Sequence, residues 1–207
     1  LMAMLSHEIK TPLSVIKLVM DEKVAGSDLE GHANRAVGNI NFIVNRCLQL
    51  GKLDAKAIQL NPVSFDAVEF MASLLHDWQD TDRIHMKGPQ SLPIHADREI
   101  LRVVVSNLIE NALKYGDKEH PINVDIAYAR NNSVGGLRVD VRNTIGVLGV
   151  PEAEQVFKKY YRNTQATKVA GSGLGLFLVH ELIGVMGGEV TYASKQQEVL
   201  FSVWIPA

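Results

Sequence analysis

The chain has 207 residues, enough for one large domain or two small ones around a substantial buried core. Its 46% apolar and 21% charged residues are those of a soluble globular protein, and a net charge of −2 excludes any global pull toward nucleic acid or anionic lipid. The single cysteine, Cys47, excludes an internal disulfide and points to a reducing compartment, and no apolar run approaches the roughly 18–20 residues of a membrane span.

The chain opens without a secretory signal and already inside a helical pattern. It therefore reads as a piece of something longer, with any membrane or sensor segment upstream. Leu1, Leu5, Ile9, Leu13, Ile16 and Met20 recur at three- and four-residue intervals and form one stripe of a helix. Gly26 breaks that stripe, and "SDLE" (Ser27 to Glu30) has capping-box spacing for a second helix. Leu29, Ala33, Val37, Ile40, Val44 and Leu48 form its apolar face. Two amphipathic helices cannot enclose a core, so a homodimeric four-helix bundle is the economical solution. From "LNPVSF" the character changes. The pattern predicts a helix over Phe65 to Trp78, short strands at "RIHM" and "PIHA", and a strong helix from Asp97 to Tyr115. "INVDIAYA" and "GLRVDV" alternate like half-buried strands, with "RNNSVGG" between them as a turn. A polar loop over Asn143 to Ser172 follows, then a helix over Gly173 to Met186 and the strands "GEVTYAS" and "VLFSVWIP". Strands gathered with helices, without βαβ alternation, predict an α+β sandwich with its helices on one face. The expected division is an all-α helical hairpin over residues 1–57 and the sandwich over 58–207.

Two stretches carry chemistry. In "SNLIENALKYG" (Ser106 to Gly116), Asn107, Asn111, Lys114 and Tyr115 share a polar face at i+3 and i+4 spacing, while Leu108, Ile109, Ala112 and Leu113 fall largely on the other side. Asparagine is a mediocre helix former, so two of them in mid-helix suggest a task other than structure. An amide oxygen is a neutral, hard ligand suited to Mg²⁺, and a lysine one turn on supplies a charge for phosphate oxygens. In "GSGLGL", Gly171, Gly173 and Gly175 alternate at the start of a helix, whose unpaired N–H groups and dipole favour an anion. Alone this glycine run says little; downstream of the Asn/Lys helix and the strand pair it says much more.

Taken together and in this order, the motifs resemble the transmitter region of a bacterial sensor histidine kinase. "LSHEIKTPL" looks like the H-box of its dimerisation and phosphoacceptor domain. "NLIENALKYG" looks like the N-box, "VFKKYYR" the F-box and "GSGLGL" the second glycine box of an ATP-binding domain with the Bergerat (GHKL) fold. The resemblance implies that His7 accepts the γ-phosphoryl group of ATP. A neutral imidazole, with its ordinary pKa of about 6.5, is a competent nucleophile near pH 7. Glu8 would take the proton from the other ring nitrogen, and Thr11 would orient a water that dephosphorylates the partner. Pro12 crowds the carbonyl of Glu8, so a bend is expected beside the reacting pair. The family pattern assigns Asn111 to Mg²⁺, Asn107 and Lys114 to the phosphates, Tyr115 to the base or sugar side, and Arg162 to the γ-phosphate. Phe157 would pack the lid down, and Gly171, Gly173, Leu174 and Gly175 would line the phosphates. The implied partners are a response regulator receiver domain and a second copy joined through the N-terminal helices, with no nucleic acid. The implied location is the cytoplasmic portion of an inner-membrane sensor.

One motif departs from the pattern. Where the family has Asp-x-Gly-x-Gly, with an aspartate that accepts from the adenine amine, this chain reads "VRNTIGVLGVP". Asn143 stands at the aspartate position and Gly146 falls one residue late. An asparagine oxygen still accepts from an amine, without charge assistance worth roughly 1 kcal/mol. Three functions therefore compete. The first is an ATP-dependent histidine kinase. The second is a degenerate relative with weakened ATP use, acting as a phosphatase or dimeric signalling module. The third is a gyrase-, Hsp90- or MutL-like ATPase, which the H-box hairpin argues against. The six other histidines have no metal-ligand spacing.

Overall fold

The computed structural model describes residues 58–76, 78, 81–163 and 172–207, together with Leu13, Ile40, Gly51 and Leu53, each of these four in helical conformation. The hairpin expected over residues 1–57 otherwise lies outside the described residues. The chain divides into two compact units, Leu1–Ile58 with Val169–Ser172 and Gln59–Lys168 with Gly173–Ala207. The second unit holds every described strand.

That unit begins with a small antiparallel pair, β1 (Pro62–Asp66) and β3 (Pro93–Asp97). Each strand ends in an aspartate that caps the helix after it. Asp66 accepts from the backbone of Val68 at 2.8 Å and Glu69 at 3.1 Å, opening α1 (Ala67–His76). The same carboxylate takes the Ser91 hydroxyl and the Leu92 N–H, and these bonds, the serine's first, hold its pKa below the usual carboxylate value. Asp97 accepts from Glu99 and Ile100, opening α2 (Arg98–Tyr115), and also from the N–H of Asn61 at 2.8 Å. Satisfying these orphan donors is why the helices start where they do. Phe65, expected in the first turn of a helix, instead pairs with Ile94 in β1 and sets its ring edge-on to Phe70, 5.3 Å away. The Asp66 cap forbids an earlier helix start. The helix also ends at His76, short of Trp78.

The main sheet is mixed, in the order β2 (Ile84–Lys87), β4 (Ile122–Asn131), β5 (Val134–Thr144), β7 (Glu198–Pro206), β6 (Glu189–Lys195). Only β2 and β4 run parallel. Period-two alternation buries Val124, Val139, Val141, Phe201 and Val203 on one face. The α+β sandwich read from the sequence is borne out: α2 packs on β5, and α3 (Gly175–Val185) packs on α2, β6 and β7. Leu101, Leu108 and Ile109 of α2 and Leu178, Leu182 and Ile183 of α3 are fully buried, each worth about 1.5–3 kcal/mol. The opposite face carries ion pairs instead, Arg138–Asp140 at 3.3 Å and Arg142–Asp125 at 3.9 Å. The turn expected across "RNNSVGG" shrinks to Asn132 and Ser133, at φ of 47° and 71°. Gly135 and Gly136 are strand residues, and a Cβ on either would collide with Tyr128 or with the Ile205 carbonyl. Gln196 and Gln197 turn the β6–β7 hairpin in the same way, at φ of 49° and 67°.

Candidate nucleotide site

The polar face of α2 is not a solvated one. Asn107 is only 3% exposed; its Nδ2 donates to the Val103 carbonyl at 2.7 Å, and its Oδ1 is buried with no hydrogen-bond partner. An orphaned buried acceptor is costly unless something else satisfies it. One turn on, Asn111 is half-buried, and Lys114 sets its ammonium 5.2 Å from the centre of the Tyr115 ring. Two amide oxygens and an ammonium in succession on one helix face suit a hard cation with its phosphates, so this donor set fits Mg²⁺ and a nucleotide. Among the described residues no group of three His, Cys, Asp or Glu side chains could hold a metal by itself.

The helix ends where it meets the sheet. Gly116 caps α2, its N–H bonding the Ala112 carbonyl, and it pairs as an isolated bridge with Ile145. Asn143 ends up beside it: the side chain is 6% exposed, its Nδ2 donates to the Thr144 carbonyl at 2.9 Å, and a Cβ on Gly116 would lie 2.9 Å from that nitrogen. The fold thus brings the residue at the missing aspartate's position to the end of the Asn/Lys helix. The Asp117 turn beyond is tied down by Arg83, whose Nη2 donates to the Asp117 carbonyl at 2.7 Å. The Asp117 carboxylate, bonded by the His120 ring at 2.9 Å and by the Glu119 N–H, has its pKa lowered, chiefly by the histidine.

The loop from Ile145 to Asn163 is held by side chains both inside the F-box-like stretch and far from it. Tyr161 Oη accepts from the Glu152 N–H at 2.9 Å. Asn163 donates to the Leu148 and Val150 carbonyls at 3.1 and 2.9 Å. Tyr192 on β6 donates to the Pro151 carbonyl at 3.1 Å, and burial pushes its phenol pKa up. The aromatic residues of "KYYR" are the available signal, though nothing in the sequence names their partners. Phe157, expected to pack a lid down, sets its ring 5.7 Å from His180 and 6.2 Å from Phe201. Lys159 lies over Tyr160 and Phe177, and Arg162, next in the chain to Tyr161, is half-buried.

Of the second glycine box, Gly173 sits at φ +66°, and its carbonyl accepts from the Tyr160 N–H at 3.0 Å. A Cβ there would come within 2.7 Å of the Tyr160 and Tyr161 backbone, so this glycine admits the close approach of that loop. Leu174 is 1% exposed, leaving only its backbone for a ligand. It is the N-cap of α3 and makes no side-chain capping bond, so Gly175 opens a helix whose first-turn donors have no side-chain acceptor at the cap. His7, Glu8, Thr11 and Gly171 lie outside the described residues.

Comparison with known proteins agrees with this geometry. Residues 96–207, more than half of the chain, match the family described as histidine kinase-, DNA gyrase B-, and HSP90-like ATPases. Sensor histidine kinase WalK of Bacillus subtilis (strain 168) is 27% identical over 205 residues, covering 91% of this chain and 33% of its own length. The chain thus spans about a third of that relative. Full-length ShkA in complex with AMPPNP is similar in structure, with a TM-score of 0.64 at 24% identity, over 99% of this chain and 45% of that one. Histidine kinase ThkA in complex with the response regulator protein TrrA gives 0.56 at 17% identity, over 99% and 60%. These structural likenesses speak for the fold, and the resemblance to sensor histidine kinases read from the motifs is borne out. The chain belongs to the family of histidine kinase-, DNA gyrase B- and HSP90-like ATPases.

Proposed function

We propose that the chain is the ATP-dependent core of a sensor histidine kinase, which phosphorylates itself on His7 and passes the phosphoryl group to an aspartate of a response regulator. The observation that carries this reading is the buried, unpartnered Oδ1 of Asn107 on the helix face shared with Asn111 and Lys114, inside the matched ATPase segment. In this reading Asn111 ligates Mg²⁺, Asn107 and Lys114 address the phosphates, and Tyr115 the base or sugar side. Asn143 has its amide nitrogen engaged by Thr144 and presents its oxygen to the exocyclic amine of adenine. Arg162 supplies charge toward the γ-phosphate, and Gly171, Gly173 and the open donors at Leu174 and Gly175 line the phosphates. Mg²⁺, when bound, neutralises charge on the triphosphate.

Phosphoryl transfer asks a protein mainly for positioning and charge neutralisation. An imidazole nitrogen of His7 forms a bond to the γ-phosphorus as the bond to the bridging oxygen breaks and ADP departs. Glu8 takes the proton from the second ring nitrogen, leaving a phosphoramidate whose imidazole ring is neutral and whose phosphoryl oxygens keep the negative charge. Thr11 would orient the water for the reverse task, dephosphorylating the regulator. The two domains, 1–57 and 58–207, divide acceptor from donor, and the N-terminal helices would dimerise as a four-helix bundle. The relatives, WalK named as a sensor histidine kinase and ThkA bound to a response regulator, support this assignment.

Incubation with γ-labelled ATP and Mg²⁺ tests the proposal. Label that survives alkali, is lost in acid and is absent from both His7→Gln and Asn111→Ala supports it. A labelled His7→Gln variant removes His7 as the acceptor. A folded chain that binds no nucleotide at millimolar concentration leaves the dimeric signalling module instead. Phosphate released steadily to water without labelled protein points to a plain ATPase.

A further inference from the structure

Gly116 and Gly146 meet where the last turn of α2 joins the end of β5. A Cβ on Gly146 would stand 2.4 Å from the Tyr115 carbonyl oxygen and 3.0 Å from the carbonyl carbon and oxygen of Gly116. A Cβ on Gly116 would stand 2.5 Å from the Ala112 carbonyl oxygen, besides its conflict with Asn143. Neither glycine needs its own backbone freedom. Gly116 has φ −71° and ψ 159°, open to any residue, and Gly146 is not among the glycines with positive φ. What each position requires is space, so that two backbones can touch. Hydrogen bonds hold the contact on both sides: Asp117 N–H to Thr144 at 2.9 Å, and Ile145 N–H to Gln197 at 2.7 Å. Arg83 braces it from outside through the Asp117 and His120 carbonyls.

Asn111, Lys114 and Tyr115 all lie within the two turns that precede this contact. We propose that Gly116 and Gly146 are positioning residues for the nucleotide: their backbone contact fixes the C-terminal turn of α2 against Asn143 and thereby sets nucleotide affinity. The inference rests on the nucleotide reading above and assigns Gly146 a role as a spacer against α2. A methyl group at 146 meets backbone, not a flexible side-chain end, so α2 has to move to admit it.

The test measures the dissociation constant of Mg²⁺–ATP by calorimetry, well below the unfolding temperature, for the native chain, Gly146→Ala and Gly116→Ala. Val147→Ala serves as a control, because that side chain is 97% exposed. The expected result is affinity weakened about tenfold or more in both glycine variants, since a misplacement of about 1 Å can cost as much as roughly a hundredfold, with the control unchanged. A purely structural role would lower the unfolding temperature and leave the dissociation constant as it was, which overturns the inference. Hydrogen–deuterium exchange on the native chain is a second measurement, independent of any folding defect in the variants. Nucleotide should slow exchange in residues 112–117 and 144–147 together; slowing in 112–117 alone overturns the proposal. A native chain that takes no nucleotide overturns the nucleotide reading and this inference with it. Native binding with equally tight Gly146→Ala overturns this inference alone.

Discussion

Asn143 shows how one side chain can be locked into its identity. Its amide nitrogen donates to the Thr144 carbonyl, so an aspartate there would face a carbonyl oxygen with a buried negative oxygen. The carboxyl could keep the bond only by holding its proton, which raises its pKa above the unfolded value. Asn143→Asp should therefore match the native protein in thermal stability below about pH 4 and fall behind as pH rises, by roughly 1–3 kcal/mol at neutrality. Calorimetric scans from pH 3 to 7 check this; a constant difference across that range would contradict it. Gly173 is constrained by conformation as well as by space. Gly173→Ala adds left-handed strain and a collision with the Tyr160–Tyr161 backbone, so a loss of about 2 kcal/mol or more is expected in denaturant unfolding. At this scale the sequence is informative about residue types and silent about surroundings. Asn107 and Asn111 stand out as poor choices for mid-helix, but the burial of Asn107 depends on what packs over it. Gly146 looks merely displaced by one position, because its reason is a carbonyl thirty-one residues back in the chain, that of Tyr115.

The elements are legible where a period runs long. α2, β4, β5 and β7 keep their periods over nine residues or more and fall where periodicity puts them. β1 escapes a reading by pattern because five residues containing a proline carry little alternation, and because nothing local marks Asp66 as the cap that divides strand from helix. The loop from Ile145 to Asn163 has no period to read. Its order comes from single hydrogen bonds contributed by distant residues, Tyr192 among them. Asn163→Ala removes two of these bonds at once and should release the loop without unfolding the sheet. Amide exchange at residues 148–152 is expected to quicken about thirtyfold, with β4 and β5 unchanged, as two lost bonds of about 1 kcal/mol each come to about 2 kcal/mol.

For the whole molecule, two depressed carboxylates among the described residues contribute to the acid response. Asp66 and Asp117 have folded pKa values below the usual 3.8, held by Ser91 and by His120 respectively. Their contribution is thus complete above that value and disappears as pH falls through the folded pKa values. The unfolding temperature should be flat with respect to these groups from pH 7 to 5 and decline below 3.8; Asp66→Asn should make the decline shallower. A variant that tracks the native curve in acid would show that the Asp66 cap does not couple to global unfolding.

Both hairpins are closed by residues that bear side chains in a backbone region built for glycine. Left-handed strain of about 1 kcal/mol at Ser133 and again at Gln197 is carried in the resting fold, partly offset by the extra freedom glycine would give the unfolded chain. Ser133→Gly with Gln197→Gly should therefore raise the melting temperature by a few degrees, by the scaling for a chain of this length. The thermal headroom gained at the two loop tips would give a background tolerant enough to carry damaging substitutions elsewhere in the domain.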